Sequence, residues 1–172
     1  LSRPLPSYKW LYTIMSLNPS SCASAINSAI DSYMGTYPSG DFTSAFVSAY
    51  KSYSQAGVLS AGGGVAGTED DSILTDFFNS FTSSTSDAAF GAVMANYWST
   101  CLLTPSGGAI SIVNDGASKA AAFTAAITSS YSTTDSQPYY LNFIQNIENV
   151  AKTIVWTAAL PLPPFVRTES IS

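Results

Sequence analysis

Three stretches of this chain repeat nearly the same pattern of ten or eleven residues. They read SAINSAIDSY from Ser24 to Tyr33, SAFVSAYKSY from Ser44 to Tyr53, and AAFTAAITSSY from Ala121 to Tyr131. Small, apolar and polar residues recur every four positions, and a tyrosine closes each stretch. Because four residues are close to one α-helical turn, the apolar residues fall on one helix face. The repeat therefore predicts helices that pack through an aromatic and aliphatic ridge, and it does not describe an active site.

Capping residues divide the first two thirds of the chain into four predicted helices. An Asn-Pro pair at Asn18 starts the first helix, and Asp41 can cap the second. Thr68, which is followed by three acidic residues, starts the third, and Ser86 or Asp87 starts the fourth. Short polar side chains accept hydrogen bonds from the unpaired N–H groups of the first helical turn, and acidic groups are favourable at that end.

The remaining third of the chain predicts two further helical regions. The fifth spans Ala109 to Tyr131 with a break at Asn114-Asp115-Gly116, and the sixth runs from about Gln137 to Ala159. No segment alternates apolar and polar residues as a half-buried strand does, so we expect no strands. The predicted fold class is all-α, with five to seven helices in orthogonal or bundle-like packing.

The distribution of prolines predicts one helical domain between extended ends. Proline fixes φ and lacks a backbone donor, so proline-rich segments favour extended conformations. Residues 1–7 are therefore predicted to form an extended N-terminal linker, and residues 160–172 a proline-rich C-terminal tail. Residues 8–159 are predicted to form the helical domain, and a chain of 172 residues can bury a core of that kind.

Sparse charge restricts the partners that this chain can have. Charged residues make up 10% of the sequence and the net charge is −5, with six Lys and Arg dispersed along the chain. Nucleic-acid binding needs clustered cations, so we expect no nucleic-acid partner. No apolar run is long enough for a transmembrane span, and we expect any secretion signal to have been removed. A weakly charged surface of small polar residues favours self-association.

The residues that most catalytic and metal sites use are scarce. The chain has no histidine and two cysteines, Cys22 and Cys101. We therefore predict no catalytic residue, no cofactor and no metal site, and we do not expect an enzyme. In a secreted chain, Cys22 and Cys101 are predicted to form a disulfide that closes a loop of about 80 residues. The alternative is two buried free thiols that behave as small hydrophobic groups.

A cluster of phenylalanines allows two interpretations. Phe77, Phe78 and Phe81 have helical spacing, so they can be core residues, or they can line a pocket for an apolar ligand. The pocket interpretation places the ligand between these rings and an isoleucine stripe, with the disulfide fixing the cavity. That stripe consists of Ile144, Ile147 and Ile154.

The segment from about Ser21 to Ser86 resembles the helical repeats of spider silk proteins, the spidroins. The sequence SGDFTSAFVSAYKSYSQAGVLSAGG, from Ser39 to Gly63, has the Ser-Ala runs with a regularly placed aromatic residue and the Gly-Val-Leu turn of aciniform and tubuliform repeats. The proline-rich flanks are similar to pyriform linkers. The resemblance implies a helical bundle that is one unit of a tandem array and converts partly to β-structure in a fibre. The cysteines, the many Trp and Tyr residues, and the chain from Ala109 onward depart from the family pattern.

Three hypotheses for function follow from these features. The first is a secreted, extracellular structural module that self-associates into a silk-like fibre or coating. The second is a helical binding module for an apolar ligand. The third is an accessory or coat subunit of a larger assembly, docked by its extended termini.

Overall fold

Helices make up most of the part of the protein that the structure describes. The computed structural model describes residues 17–36, 41–57, 68–82, 84–102, 111–131, 136–159 and 166–171. A short 3-10 helix, Gly116–Lys119, precedes the fifth of the six α-helices within these ranges. The helices are α1 (Pro19–Thr36), α2 (Phe42–Gln55), α3 (Ser72–Asn79), α4 (Asp87–Thr100), α5 (Ala120–Ser130) and α6 (Ser136–Ala151). The predicted helical class is therefore confirmed.

Side-chain caps fix the starts of three helices where the sequence predicts them. Asn18 Oδ1 accepts from the backbone N–H of Ser21 at 3.0 Å, in front of Pro19. Asp41 Oδ1 accepts from the N–H of Ser44 at 3.0 Å, and its Oδ2 accepts from the Ser44 hydroxyl at 2.6 Å. The hydroxyl bond, followed by the N–H bond, lowers the pKa of Asp41. The hydroxyl of Ser86 accepts from a backbone N–H in the same way at the start of α4. Each bond from a backbone N–H satisfies one of the four N–H groups that a helix start leaves unpaired.

The third helix starts later than predicted. Its first residue is Ser72, and the preceding Asp71 makes no side-chain capping bond. Thr68 instead donates its hydroxyl hydrogen to the carbonyl oxygen of Thr100 at 2.7 Å and accepts from the N–H of Leu102 at 2.9 Å. Thr68 therefore connects this segment to the end of α4, a long-range contact that local spacing does not reveal.

The helices pack around one aromatic core. Helix α1 packs against α2 and α6, and α4 packs against α5. Helices α4 and α5 are especially close, because Gly91 has no side chain and the backbone of Thr124 occupies the space beside it. The largest fully buried side chains come from all six α-helices and from one strand, and they include Trp98, Trp156, Tyr50, Tyr97 and Phe123.

A small antiparallel sheet, which the sequence analysis does not predict, closes one side of the core. Its strands are β1 (Ser111–Asn114), β2 (Trp156–Ala159) and β3 (Val166–Glu169), in the order β1-β2-β3. The predicted sixth helix is therefore too long at its C-terminal end. Helix α6 ends at Ala151, where i→i+3 hydrogen bonds to Val150 and Ala151 tighten the last turn. The next residues, TIVW, are rich in the β-branched and aromatic side chains that favour strands.

The C-terminal segment contributes to the fold. Residues 166–169, which lie in the predicted tail, pair with β2, and Ile171 is buried in the core. The fifth predicted region also contains a strand, β1, in front of its predicted break at residues 114–116. The predicted linker at residues 1–7 and the prolines of residues 160–165 lie outside the described residues.

The predicted disulfide is wrong, because Cys22 and Cys101 are both free and buried. The Cys22 thiol lies between α1 and α2, 3.9 Å from the carbonyl oxygen of Ala49. Cys101 ends α4, and its carbonyl oxygen accepts from the indole N–H of Trp156 at 2.7 Å. Burial raises the pKa of Cys22 to about 12 and raises that of Cys101 as well. Both thiols therefore behave as small hydrophobic groups, which was the alternative interpretation.

Candidate ligand-binding groove

The residues predicted to line an apolar pocket lie in two different places: some belong to the buried core, and others line a groove on the surface. Ile144, Ile147 and Ile154 are completely buried, and Phe77 is nearly so. These side chains fill the interior and line no groove. Phe78 and Phe81, in contrast, lie in the wall of a surface groove, where Phe81 is 51% exposed.

The groove is an aromatic-lined cavity of about 380 Å³. Among the lining residues that the structure describes, eight are aromatic, three are Ser or Thr, and one is charged. We call this cavity the aromatic groove. Its lining residues are Phe42, Thr43, Phe46, Phe78, Phe81, Thr85, Ser86, Asp87, Phe90, Tyr131, Tyr140 and Phe143.

Helix spacing and helix packing together assemble the aromatic wall. Phe42 and Phe46 lie one turn apart on α2, with ring centroids 5.8 Å apart. The Phe46 ring contacts Phe78 of α3 at 4.5 Å, and Phe78 contacts Phe90 of α4 at 5.8 Å. Phe90 in turn stacks on Phe143 of α6 at 5.6 Å. One continuous series of ring contacts therefore joins four helices and forms the wall of the groove.

A single carboxylate, that of Asp87, is found among the described lining residues of the groove. Asp87 is the first residue of α4 and is half-buried. Its Oδ1 accepts from the Tyr131 hydroxyl at 2.8 Å, and its Oδ2 accepts from the Thr128 hydroxyl at 2.8 Å. Both donors belong to the C-terminal end of α5, so these bonds hold the carboxylate in one orientation.

The other described residues of the groove lining are neutral. Among the lining residues that the structure describes, Asp87 is the only Asp, Glu, Lys or Arg. Burial raises the pKa of Tyr140, so its hydroxyl is protonated at neutral pH. The described lining of the aromatic groove therefore presents apolar rings together with one anionic group.

The buried tyrosine hydroxyls and the Trp98 indole of the core hydrogen-bond to other core groups, away from the groove. The Trp98 indole donates to the Tyr50 hydroxyl at 3.0 Å, and the hydroxyls of Tyr97 and Ser54 are 2.8 Å apart. Tyr53 donates to Glu148 at 3.0 Å. Buried tyrosine hydroxyls need such partners, so this network stabilises the core.

A second groove separates α1 from α2. Small side chains of the first two sequence repeats line it, among them Ala25, Ala45, Ser48 and Ala49, and its volume is about 460 Å³. Among the lining residues that the structure describes, Tyr53 is the one aromatic residue and none is charged. This surface therefore offers a ligand much less ring surface than the aromatic groove does, and it reflects the small residues that let the two helices approach.

Other kinds of site are not seen in the described part of the chain. No group of three or more Cys, Asp or Glu residues there is placed to hold a metal ion. None of the helices described is long and apolar enough to cross a membrane. The sequence analysis assigned only Phe78 and Phe81 of the described groove lining to a pocket. The other aromatic lining residues could have been suggested only by their helical spacing relative to apolar neighbours, and Asp87 was visible only as a helix start.

Comparison with known proteins gives no match to a protein-family model, to a curated protein or to a solved structure. The resemblance to spidroin repeats therefore stays a prediction.

Proposed function

We propose that this protein is a helical binding module whose aromatic groove holds a small, mainly apolar organic molecule. The observation that carries the proposal is the continuous aromatic wall around a cavity of about 380 Å³. Cavities that bind small molecules have volumes of roughly 300 to 1,000 Å³ and are lined mostly by apolar and aromatic groups, with a few polar ones that fix orientation. The proposal involves no catalytic step.

Part of the aromatic surface in the groove remains exposed to water. Phe81 is 51% exposed, and Phe42, Phe78 and Phe90 are partly exposed. Each Å² of apolar surface removed from water contributes about 25 cal/mol, so a ligand that covers several rings gains a substantial binding free energy. Aromatic side chains also have few rotatable bonds, so little conformational entropy is lost when they contact a ligand.

Titration with a neutral fluorescent probe, N-phenyl-1-naphthylamine, tests this proposal. We expect saturable binding with one site per chain. Phe81→Ala should weaken binding about threefold to tenfold, since it removes part of the wall without opening the core. Met34→Ala is the matched control because Met34 is 68% exposed and does not line the groove. An absence of saturable binding, or equal weakening by both substitutions, would contradict the proposal.

Self-association as a structural module is the second candidate function, and the edge of the sheet favours it. In the described part of the chain, β1 is an edge strand that contains no charged residue, and Val113 on it is 62% exposed. An uncharged edge offers unpaired backbone groups to another chain. The low charge of the chain and the resemblance to silk repeats also support a secreted, fibre- or coat-forming role.

Sedimentation velocity over a series of concentrations tests the second candidate. The wild-type protein should form larger species as its concentration rises, and Val113→Lys should suppress them, because a lysine on an edge strand opposes pairing. Met34→Lys is the control, since it adds the same charge at another exposed apolar position. A concentration-independent monomer would argue against self-association and leave the binding proposal standing.

A further inference from the structure

We propose that the ligand of the aromatic groove carries a positive charge, an amine or quaternary ammonium group, that pairs with Asp87. This inference rests on the proposed binding function and adds the chemical class of the ligand. Its basis is the placement of one oriented carboxylate beside a wall of aromatic rings.

The carboxylate of Asp87 is held in place and retains capacity to bind. It accepts one hydrogen bond on each oxygen, from Tyr131 and from Thr128. An ionised carboxylate has about four acceptor positions, so two neutral donors do not saturate it. Because both donors are uncharged, they orient the carboxylate and leave its negative charge uncompensated.

No lysine of the described chain compensates that charge. The ion pairs in the described residues join Lys51 to Asp71, Lys119 to Asp115 and Lys152 to Glu148. The N-terminus of α4 supplies only about half of a positive charge at this position. Among the described residues, the charges therefore leave the groove negative at Asp87, which favours a cation and disfavours an anionic ligand such as a fatty acid.

The rings strengthen the preference for a cation. The face of an aromatic ring carries partial negative charge and attracts a cation within about 6 Å of its centre. Phe81, Phe90 and Tyr131 lie with Asp87 in the lining of the same groove. A ligand with an apolar body and an ammonium head can thus place its body against Phe46 and Phe78 and its head at Asp87.

Displacement of N-phenyl-1-naphthylamine by three amphiphiles with the same ten-carbon alkyl chain tests the inference. Decyltrimethylammonium, decanol and decyl sulfate share a chain and differ in the charge of the head. We expect the cation to displace the probe at a concentration about tenfold lower than decanol, and decyl sulfate to be the weakest. Added salt should reduce the advantage of the cation, because the carboxylate is half-buried and open to screening.

Two variants test whether the preference for the cationic amphiphile comes from Asp87. Asp87→Asn keeps the size of the side chain and should make the cation and decanol equally effective at displacing the probe, with both concentrations corrected for the probe affinity measured on that variant. Asp76→Asn removes the same charge from an exposed position outside the groove and should keep the tenfold preference. The head-group series on the wild-type protein remains decisive even if Asp87→Asn does not fold.

The outcomes separate this inference from the proposed function. Probe binding without a preference for the cation would overturn the inference and leave the binding function in place. A preference that persists in Asp87→Asn would also overturn it, because the charge would then act elsewhere. Failure of the probe and of all three amphiphiles to bind would overturn both.

Discussion

At the residue scale, Gly91 determines how closely α4 approaches α5. A Cβ atom at this position would lie 2.6 Å from the backbone nitrogen of Thr124 and 2.8 Å from its Cα. Backbone atoms cannot move aside as a flexible side chain can, so the helices must separate if this glycine is replaced. The separation matters for function because Asp87, on the first turn of α4, is held by donors from α5.

We predict that Gly91→Ala lowers the free energy of unfolding by about 1 to 3 kcal/mol, as overpacking of a close contact does. Gly35→Ala is the matched control: Gly35 also lies in a helix, and no described atom would lie within 4 Å of its new Cβ. That variant should have unchanged stability or gain up to about 1 kcal/mol from better helix propensity. Urea denaturation of the three proteins measures the difference, and equal effects of the two substitutions would contradict the account.

At the scale of elements, local sequence patterns predict where helices start. They do not predict strands that form by pairing with distant segments of the chain. Asn18, Asp41 and Ser86 bond to N–H groups three residues along the chain, so the sequence alone reveals these caps. Strand β2, in contrast, has four residues, too few for a clear alternation. Its conformation depends on β1 and β3, and local sequence says nothing of that pairing.

Dependence on distant segments also limits what the sequence could predict of the groove. Phe78 and Phe81 are visible as a stripe because they lie on one helix. Phe42 and Phe143 come from helices about one hundred residues apart along the chain, and only tertiary packing brings them to one cavity. The sequence analysis therefore named two rings of the groove, Phe78 and Phe81, and assigned the opposite wall to isoleucines that belong to the core.

The C-terminal segment that contains β3 and Ile171 should contribute to the stability of the fold, and substitutions in it test whether it is docked on the core. Ile171 is 4% exposed and belongs to the core cluster, close to Leu17 and Gly57. We predict that Ile171→Ala lowers the free energy of unfolding by about 2 to 4 kcal/mol. Thr168→Ala, at an exposed position on β3, should change it by less than about 1 kcal/mol. Equal and small effects in thermal and urea unfolding would mean that this segment is not docked.

At the scale of the whole molecule, the ionisable groups of the core set the pH range in which the protein is stable. Burial raises the pKa of Tyr50, Tyr53 and Tyr97. In the unfolded chain these phenols lose their protons from about pH 10 upward, while the folded protein keeps them. The unfolded state then binds fewer protons, so the stability that is fully present below this pH is lost as the pH rises.

We therefore predict alkaline unfolding. Above about pH 10 the free energy of unfolding should fall by about 1.4 kcal/mol per pH unit for each buried tyrosine. The chain has no histidine, so no histidine titration should change stability at neutral pH. Urea midpoints measured from about pH 8 to about pH 11, with tyrosinate absorbance recorded in parallel, check this. A constant midpoint, or ionisation of every tyrosine while the protein stays folded, would contradict the structure of the core.

We propose that the aromatic groove is a binding site, and the strongest test of this proposal is to map a bound ligand by NMR. Backbone amide shifts of the isotopically labelled protein would be recorded during titration with N-phenyl-1-naphthylamine. The account predicts that the perturbed amides cluster in residues 42–46, 78–90 and 140–143, which carry most of the groove lining. Perturbations centred on the small-residue groove between α1 and α2 or on the sheet, or no saturable change, would contradict it.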